Sequence, residues 1–208
     1  AFATVLPLTA NAATVGIERY FADLTTLNNS GVTARADLTL QGTMLTVHLV
    51  ASGLEPNQLH IQHIHGMLDE DGLPANSVTP PPSADTDGDG FVEIAEGAPF
   101  YGPVLIDLVD EAGMFPTVTD GTIDFTGTYD LTSFANVTPL DLREIVIHGL
   151  TVPAGVDPAV VDGGYSVAMP VASGEIMVSP VPLPAAGFLL VGALGGLGVM
   201  RNLRSRRS

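Results

Sequence analysis

The 208-residue chain contains no cysteine and no lysine. Without cysteine there is no disulfide, no thiolate metal site and no cysteine nucleophile. No G-x-S-x-G stretch occurs, so no serine nucleophile elbow is present. Positive charge is scarce. Of seven arginines only Arg19, Arg35 and Arg143 fall in the stretch Glu18 to Glu175, which holds all 23 acidic residues. A body this acidic repels phosphate backbones, which excludes nucleic acid as a partner. The same charge attracts divalent cations and opposes self-association until cations screen it. Aromatic residues are also few, at 6%.

Glycine (23) and proline (16) are abundant, and they separate short apolar segments that alternate with polar residues. That pattern predicts an all-β fold. Strands are expected at about residues 14–22, 33–41, 44–52, 58–66, 103–110, 122–131, 143–149 and 164–178. Leu38 and Leu40 alternate up to a turn at Gln41-Gly42, and Leu45, Val47 and Leu49 resume the alternation, which reads as a hairpin. Such segments with turns between them predict a Greek-key β-sandwich or barrel over residues 13–180. Residues 67–102 carry no convincing strand, and a connection of that length inside a compact domain is usually functional or disordered.

That connection contains DTDGDGFVEIAE, residues 85–96. Calcium is a hard cation that takes six to eight oxygen ligands, and a twelve-residue loop supplies them from fixed positions. Asp85, Asp87 and Asp89 stand at positions 1, 3 and 5, with Gly90 at the sharp turn. Phe91 would offer its backbone carbonyl, Glu93 would act through a water, and Glu96 at position 12 would be bidentate. The match to D-x-[DN]-x-[DN]-G-x5-E is complete; the alternative is a solvated acidic turn. Pro80, Pro81 and Pro82 stand where an EF-hand's entering helix would run, so a lone loop of the dockerin kind is expected. Asp69, Glu70 and Asp71 beside Gly72 read as a solvated turn or as extra cation ligands.

His48, His60, His63 and His65 cluster early, and His148 stands alone later. In QLHIQHIHG the period of two puts His63 and His65 on one strand face, where they could present two imidazoles to one metal. His48 and His60 are expected to be ordinary polar-face residues. The stretch LTVHLVASGLEPNQLHIQHIHG resembles the strand–turn–strand of Cu/Zn superoxide dismutases and, more closely, of the related CHRD domains. REIVIHG is similar to the later dismutase strand that supplies another copper ligand, and GGYSVAMPVASGEI to its closing strand. The resemblance implies a Greek-key sandwich with His63, His65 and His148 at the copper positions, able to hold copper or zinc. The departures are equally specific. No histidine lies between residues 66 and 147, so the bridging histidine and the other zinc ligands are absent. Tyr165 or its neighbours stand where dismutases carry an arginine. The alternative is that His63 and His65 are structural and hydrogen-bonded.

The termini read as addresses. AFATVLPLTANA, residues 1–12, looks like the end of a signal peptide with an A-x-A cleavage site, the alternative being an ordinary apolar strand. Residues 181–208 run from Val181-Pro182-Leu183-Pro184-Ala185 through an apolar stretch to Arg201, Arg204, Arg206 and Arg207. This order resembles the VPLPA-CTERM variant of the PEP-CTERM sorting signals of Gram-negative bacteria. It implies a transient inner-membrane helix, processing by an exosortase-type enzyme and delivery to the cell surface or exterior. The alternative is a plain membrane anchor with its arginines on the cytoplasmic side. Taken together, these features lead us to expect a non-enzymatic, calcium-binding surface or matrix protein. Its role would be adhesion or assembly with envelope or matrix components, including further copies of itself. A copper-dependent redox enzyme of dismutase type and a copper or zinc carrier are the alternatives.

Overall fold

The computed structural model describes residues 16–160 and 162–180. The expected signal-peptide remnant (1–12) and sorting tail (181–208) lie outside them. The strands are β1 (Ile17–Thr26), β2 (Thr33–Gln41), β3 (Met44–Ser52), β4 (Gln58–Leu59), β5 (Gln62–Leu68), β6 (Pro74–Ala75), β7 (Val104–Asp107), β8 (Thr117–Val118), β9 (Thr122–Asp130), β10 (Arg143–Val152), β11 (Gly164–Glu175) and β12 (Met177–Val178). A single α-helix, α1 (Ile94–Tyr101), lies among the described residues. It is too short to cross a membrane.

The fold is an all-β sandwich. One sheet runs β9-β3-β2-β1 and the other β7-β5-β10-β11, with antiparallel pairing throughout. β1 joins them. Its residues 17–24 pair with β2, while Thr25 and Thr26 pair with Ala172 and Ser173 of β11. The chain changes sheet after β3, after β7 and after β9, which is Greek-key crossing.

The β2–β3 hairpin follows from its sequence. Gln41 pairs with Met44, so the turn is Gly42-Thr43, one residue beyond the expected place. Gly42 at φ 63° fills the first central position that a tight hairpin reserves for glycine. The alternation then sorts the faces. Leu38, Leu40, Leu45, Val47, Leu49, Ile123, Phe125 and Tyr129 enter the core, and the residues between them meet solvent.

The second sheet behaves differently. Every residue of β5 from Gln62 to Gly66, and of β10 from Arg143 to Gly149, is buried. Ile64, Ile145 and Ile147 face the common core. The opposite face, with His63, His65, Val146 and His148, is covered by the excursion of residues 67–102. Ala84, Val92, Tyr101 and Met169 are buried outside the main core.

The excursion carries the two-residue β6, a 3-10 turn (Pro82–Ala84) and α1, where the sequence pattern had offered no regular element. IAEGAPFY is a poor helix sequence, with Gly97 and Pro99 inside it, so propensity does not announce α1. Arg143 helps pin the excursion. Its buried guanidinium donates to the carbonyls of Met67 (3.3 Å), Ala75 (3.1 Å), Val137 (3.0 Å) and Asn136 (2.7 Å), so it serves the backbone rather than any ligand.

Candidate metal centres

His63 and His65 lie on β5 opposite Val146 and Glu144 of β10, and the two-residue period brings His148 to the same face. One ligand nitrogen from each of His63, His65 and His148 lies within 4.8 Å of the other two. Two of the rings are oriented by hydrogen bonds from Nδ1. His65 Nδ1 donates to the Gly102 carbonyl (2.8 Å) and His148 Nδ1 to the Ala168 carbonyl (2.7 Å). His63 Nε2 faces Asp107 Oδ1 at 3.3 Å.

Since carbonyls only accept, the protons of His65 and His148 sit on Nδ1 and leave Nε2 as a lone pair. His63 Nδ1, His65 Nε2 and His148 Nε2 are buried with no hydrogen-bond partner. Burial pushes His63 and His65 down to about 4 and His148 to about 3, and for His148 the other two rings add to the effect. All three imidazoles are therefore neutral at pH 7 and able to ligate. Three neutral imidazoles, two of them oriented by backbone acceptors, fit copper or zinc. The hydrogen-bonded structural alternative accounts for one nitrogen of His65 and one of His148 and leaves the partnerless nitrogens unexplained.

The surroundings are mostly apolar. Phe115 meets the His63 ring edge-on at 5.5 Å, and Tyr101 meets His65 at 4.7 Å. Burial raises the Tyr101 phenol, whose hydroxyl has no partner. His63 is the edge nearest solvent, its side chain 8% exposed, and Asp107 beside it is 61% exposed.

His60 corrects the sequence reading. It is fully buried rather than on a polar face, since the period of two groups it with Gln62 and Ile64, which are also fully buried. Its nitrogens lie 3.0 Å from the carbonyls of His148 and Glu55. His48 is as expected, exposed and paired with Asp124 across the β3–β9 ladder at 2.9 Å. Tyr165, at the position expected of an arginine, donates to the Leu59 carbonyl and touches His60, not the triad.

The acidic loop is built from its own backbone. Asp85, Asp87 and Asp89 bring one carboxylate oxygen each within 4.8 Å of the others. Asp85 accepts from the amides of Gly88 (2.7 Å) and Gly90 (2.9 Å), Asp87 from Asp89 (3.1 Å), and Asp89 from Phe91 (2.9 Å). Gly90 has φ 95°, as the sharp turn requires. Glu96 does not join the aspartates. Its Oε1 accepts from the amide and hydroxyl of Thr86 (both 2.6 Å), which holds it down to about 2. Glu93 Oε1 and Glu96 Oε2 are buried, and the two carboxyl groups share a hydrogen bond for which a protonated Glu93 is the donor. Burial first, then the neighbouring Glu96, pushes Glu93 up to about 8. Asp69 accepts from the amides of Asp71 (3.0 Å) and Leu73 (2.8 Å), a side-chain-closed turn as expected.

Asn28 was invisible to the sequence reading. It sits at φ 54° in the β1–β2 connection. Its Oδ1 accepts from the Val92 amide (2.7 Å), and its Nδ2 donates to the carbonyls of Val92 (3.0 Å) and Pro170 (2.9 Å). One side-chain amide thus pairs both backbone groups of loop position 8, as a neighbouring strand would. Glu144, buried beneath the excursion, was also missed. Thr79 and Ser173 hydroxyls donate to its Oε1 at 2.5 Å, and burial pushes it up to about 7. Neither residue has a local signal, since each partner lies far off in sequence. Compared with known proteins, the chain matches no family model and no curated protein.

Proposed function

We propose that this chain is an exported, metal-binding surface or matrix protein without turnover. In this reading His63, His65 and His148 hold a copper or zinc ion and the loop Asp85–Glu96 holds calcium. The observation that carries it is the cluster of three buried histidines, each offering one ligand nitrogen within 4.8 Å of the others and each keeping one buried ring nitrogen without a partner. Buried polar atoms without a partner are costly, and a bound cation would relieve that cost. The calcium part is supported by the complete loop pattern and by three converged aspartates. Export, exosortase-type processing and a role in adhesion or assembly rest on the resemblance of residues 181–208 to a sorting signal and on the acidic body.

A dismutase-like redox enzyme is the second reading, favoured by the same nitrogen set. Superoxide is an anion, however, and the exposed group beside His63 is the carboxylate of Asp107. Arginine 143 is buried elsewhere, on backbone carbonyls. Such a rim draws cations and repels anions. The test is elemental analysis of the full chain together with a superoxide assay. Expected is stoichiometric copper or zinc without dismutation above the free-metal background. Copper with turnover would establish the second reading, and no transition metal would make the triad structural.

A further inference from the structure

The geometry points to a coupling between the two centres: calcium in the loop Asp85–Glu96 sets how tightly His63, His65 and His148 hold a transition metal. The inference rests on the two-metal reading above. Two physical connections carry it.

The first runs through α1. Glu96, the twelfth loop position, already lies in the helix, and α1 ends at Tyr101 and Gly102. Tyr101 packs on His65 at 4.7 Å, and the Gly102 carbonyl accepts from His65 Nδ1 at 2.8 Å. Gly97 is required here, since a Cβ would stand 2.5 Å from the Tyr101 ring, and Gly102 (φ 82°) closes against Gly66 with no room for a side chain. Eight residues with an internal glycine and proline do not hold as a helix alone, so α1 depends on its anchors at both ends.

The second runs through Asn28. Its amide clamps Val92 inside the loop and also donates to the Pro170 carbonyl. Pro170 and Ala168 belong to the stretch of β11 that orients His148 (2.7 Å). The β10–β11 register is irregular on both sides of His148, so the ladder alone does not fix this stretch.

The loop itself asks for a cation through its complete twelve-residue pattern and its three converging aspartates. Without a cation the aspartates repel and both anchors loosen. The carbonyls of Gly102 and Ala168 then orient His65 and His148 less firmly. Loss of such orienting partners typically weakens metal binding 10–100-fold. Binding linkage is reciprocal, so zinc at the triad must tighten calcium by the same factor.

The test uses the metal-free full-length chain, titrated with zinc against a chromophoric zinc indicator at neutral pH. One buffer is calcium-free, and the other holds calcium at about 5 mM, above the ~10⁻³ M limit of weak extracellular sites. Expected is an about tenfold lower zinc Kd with calcium, and an equal gain in calcium affinity with zinc bound. In Glu96→Gln and Asp87→Asn the zinc Kd should stay at its calcium-free value in both buffers. Equal zinc Kd values while both metals bind would overturn the coupling and leave the two-metal reading standing. No zinc uptake in either buffer would overturn both. Zinc uptake without calcium uptake would overturn the coupling and confine the reading to the histidines.

Discussion

The acidic loop lies within the excursion and the histidine triad on the strands beside it, and the two are assembled by opposite rules. The loop takes all its oxygens from twelve consecutive residues, carries its aspartates at the surface, and satisfies them with its own amides. The triad takes its nitrogens from β5 and from β10, in a stretch where every residue is buried, and leaves one nitrogen of each ring without a partner. A local site of exposed hard oxygens suits a cation that is plentiful and weakly held. A dry tertiary site of imidazoles suits a scarce transition ion held tightly. The excursion is what turns β5 and β10 from half-exposed strands, like β3 and β9, into a sheet buried on both faces.

The largest test of that contrast removes one nitrogen. His148→Ala should cut zinc or copper affinity by more than about 100-fold, beyond the loss of an orienting partner, with calcium affinity, titrated without zinc, unchanged. Isothermal titration of each metal reads this, and a matched loss of calcium would break the division into two centres.

Acid comes next. The native triad titrates near 4 and 3, below the unfolded value of about 6.5. The unfolded chain therefore binds more protons in that interval, and stability falls as pH drops from about 6.5 to 4 by an amount on the order of a few kcal/mol. Glu144, raised to about 7, works the other way, losing stability as pH rises from about 4.5 through 7. Urea unfolding of the metal-free chain should show the decline toward acid, and His65→Gln with His148→Gln should flatten it. An unchanged profile in the double variant would mean that the triad is not the titrating set.

Asn28→Ala should lower stability by about 1–3 kcal/mol, because it strips partners from the Val92 amide and carbonyl. Urea midpoints measure this. A loss within error would show that the loop holds itself. A smaller effect, read by limited proteolysis, is faster cleavage within 67–102 when calcium is removed; equal nicking would count against cation ordering. Smallest of all, Asp124→Asn should change stability by less than about 0.5 kcal/mol, since its pair with His48 is solvent-exposed. A larger loss would deny the expected indifference of the polar face.

Legibility in the sequence follows the same division. The β2–β3 hairpin and β9 could be read almost to the residue, because a one-sided sheet alternates strictly. The aspartates could be read because their spacing is local. His63 and His65 shared a face by period alone, and His148 could be offered as a third ligand because it closes another apolar strand, the family resemblance then setting it at a copper position. His60 was misplaced because it was set on a polar face, although the period of two groups it with Gln62 and Ile64, both fully buried. Asn28, Tyr101, Asp107 and Glu144 gave no signal, since their roles exist only where distant segments meet. α1 was missed because packing of Tyr101 against His65, not helix propensity, holds it.

The most direct test is the metal content of the full chain after equilibrium dialysis against calcium and zinc together. Expected is one ion of each per chain, with zinc alone lost from His63→Ala and calcium alone lost from Asp85→Asn. A chain that retains neither ion, or that loses both in either variant, would contradict the two-centre structure of the molecule.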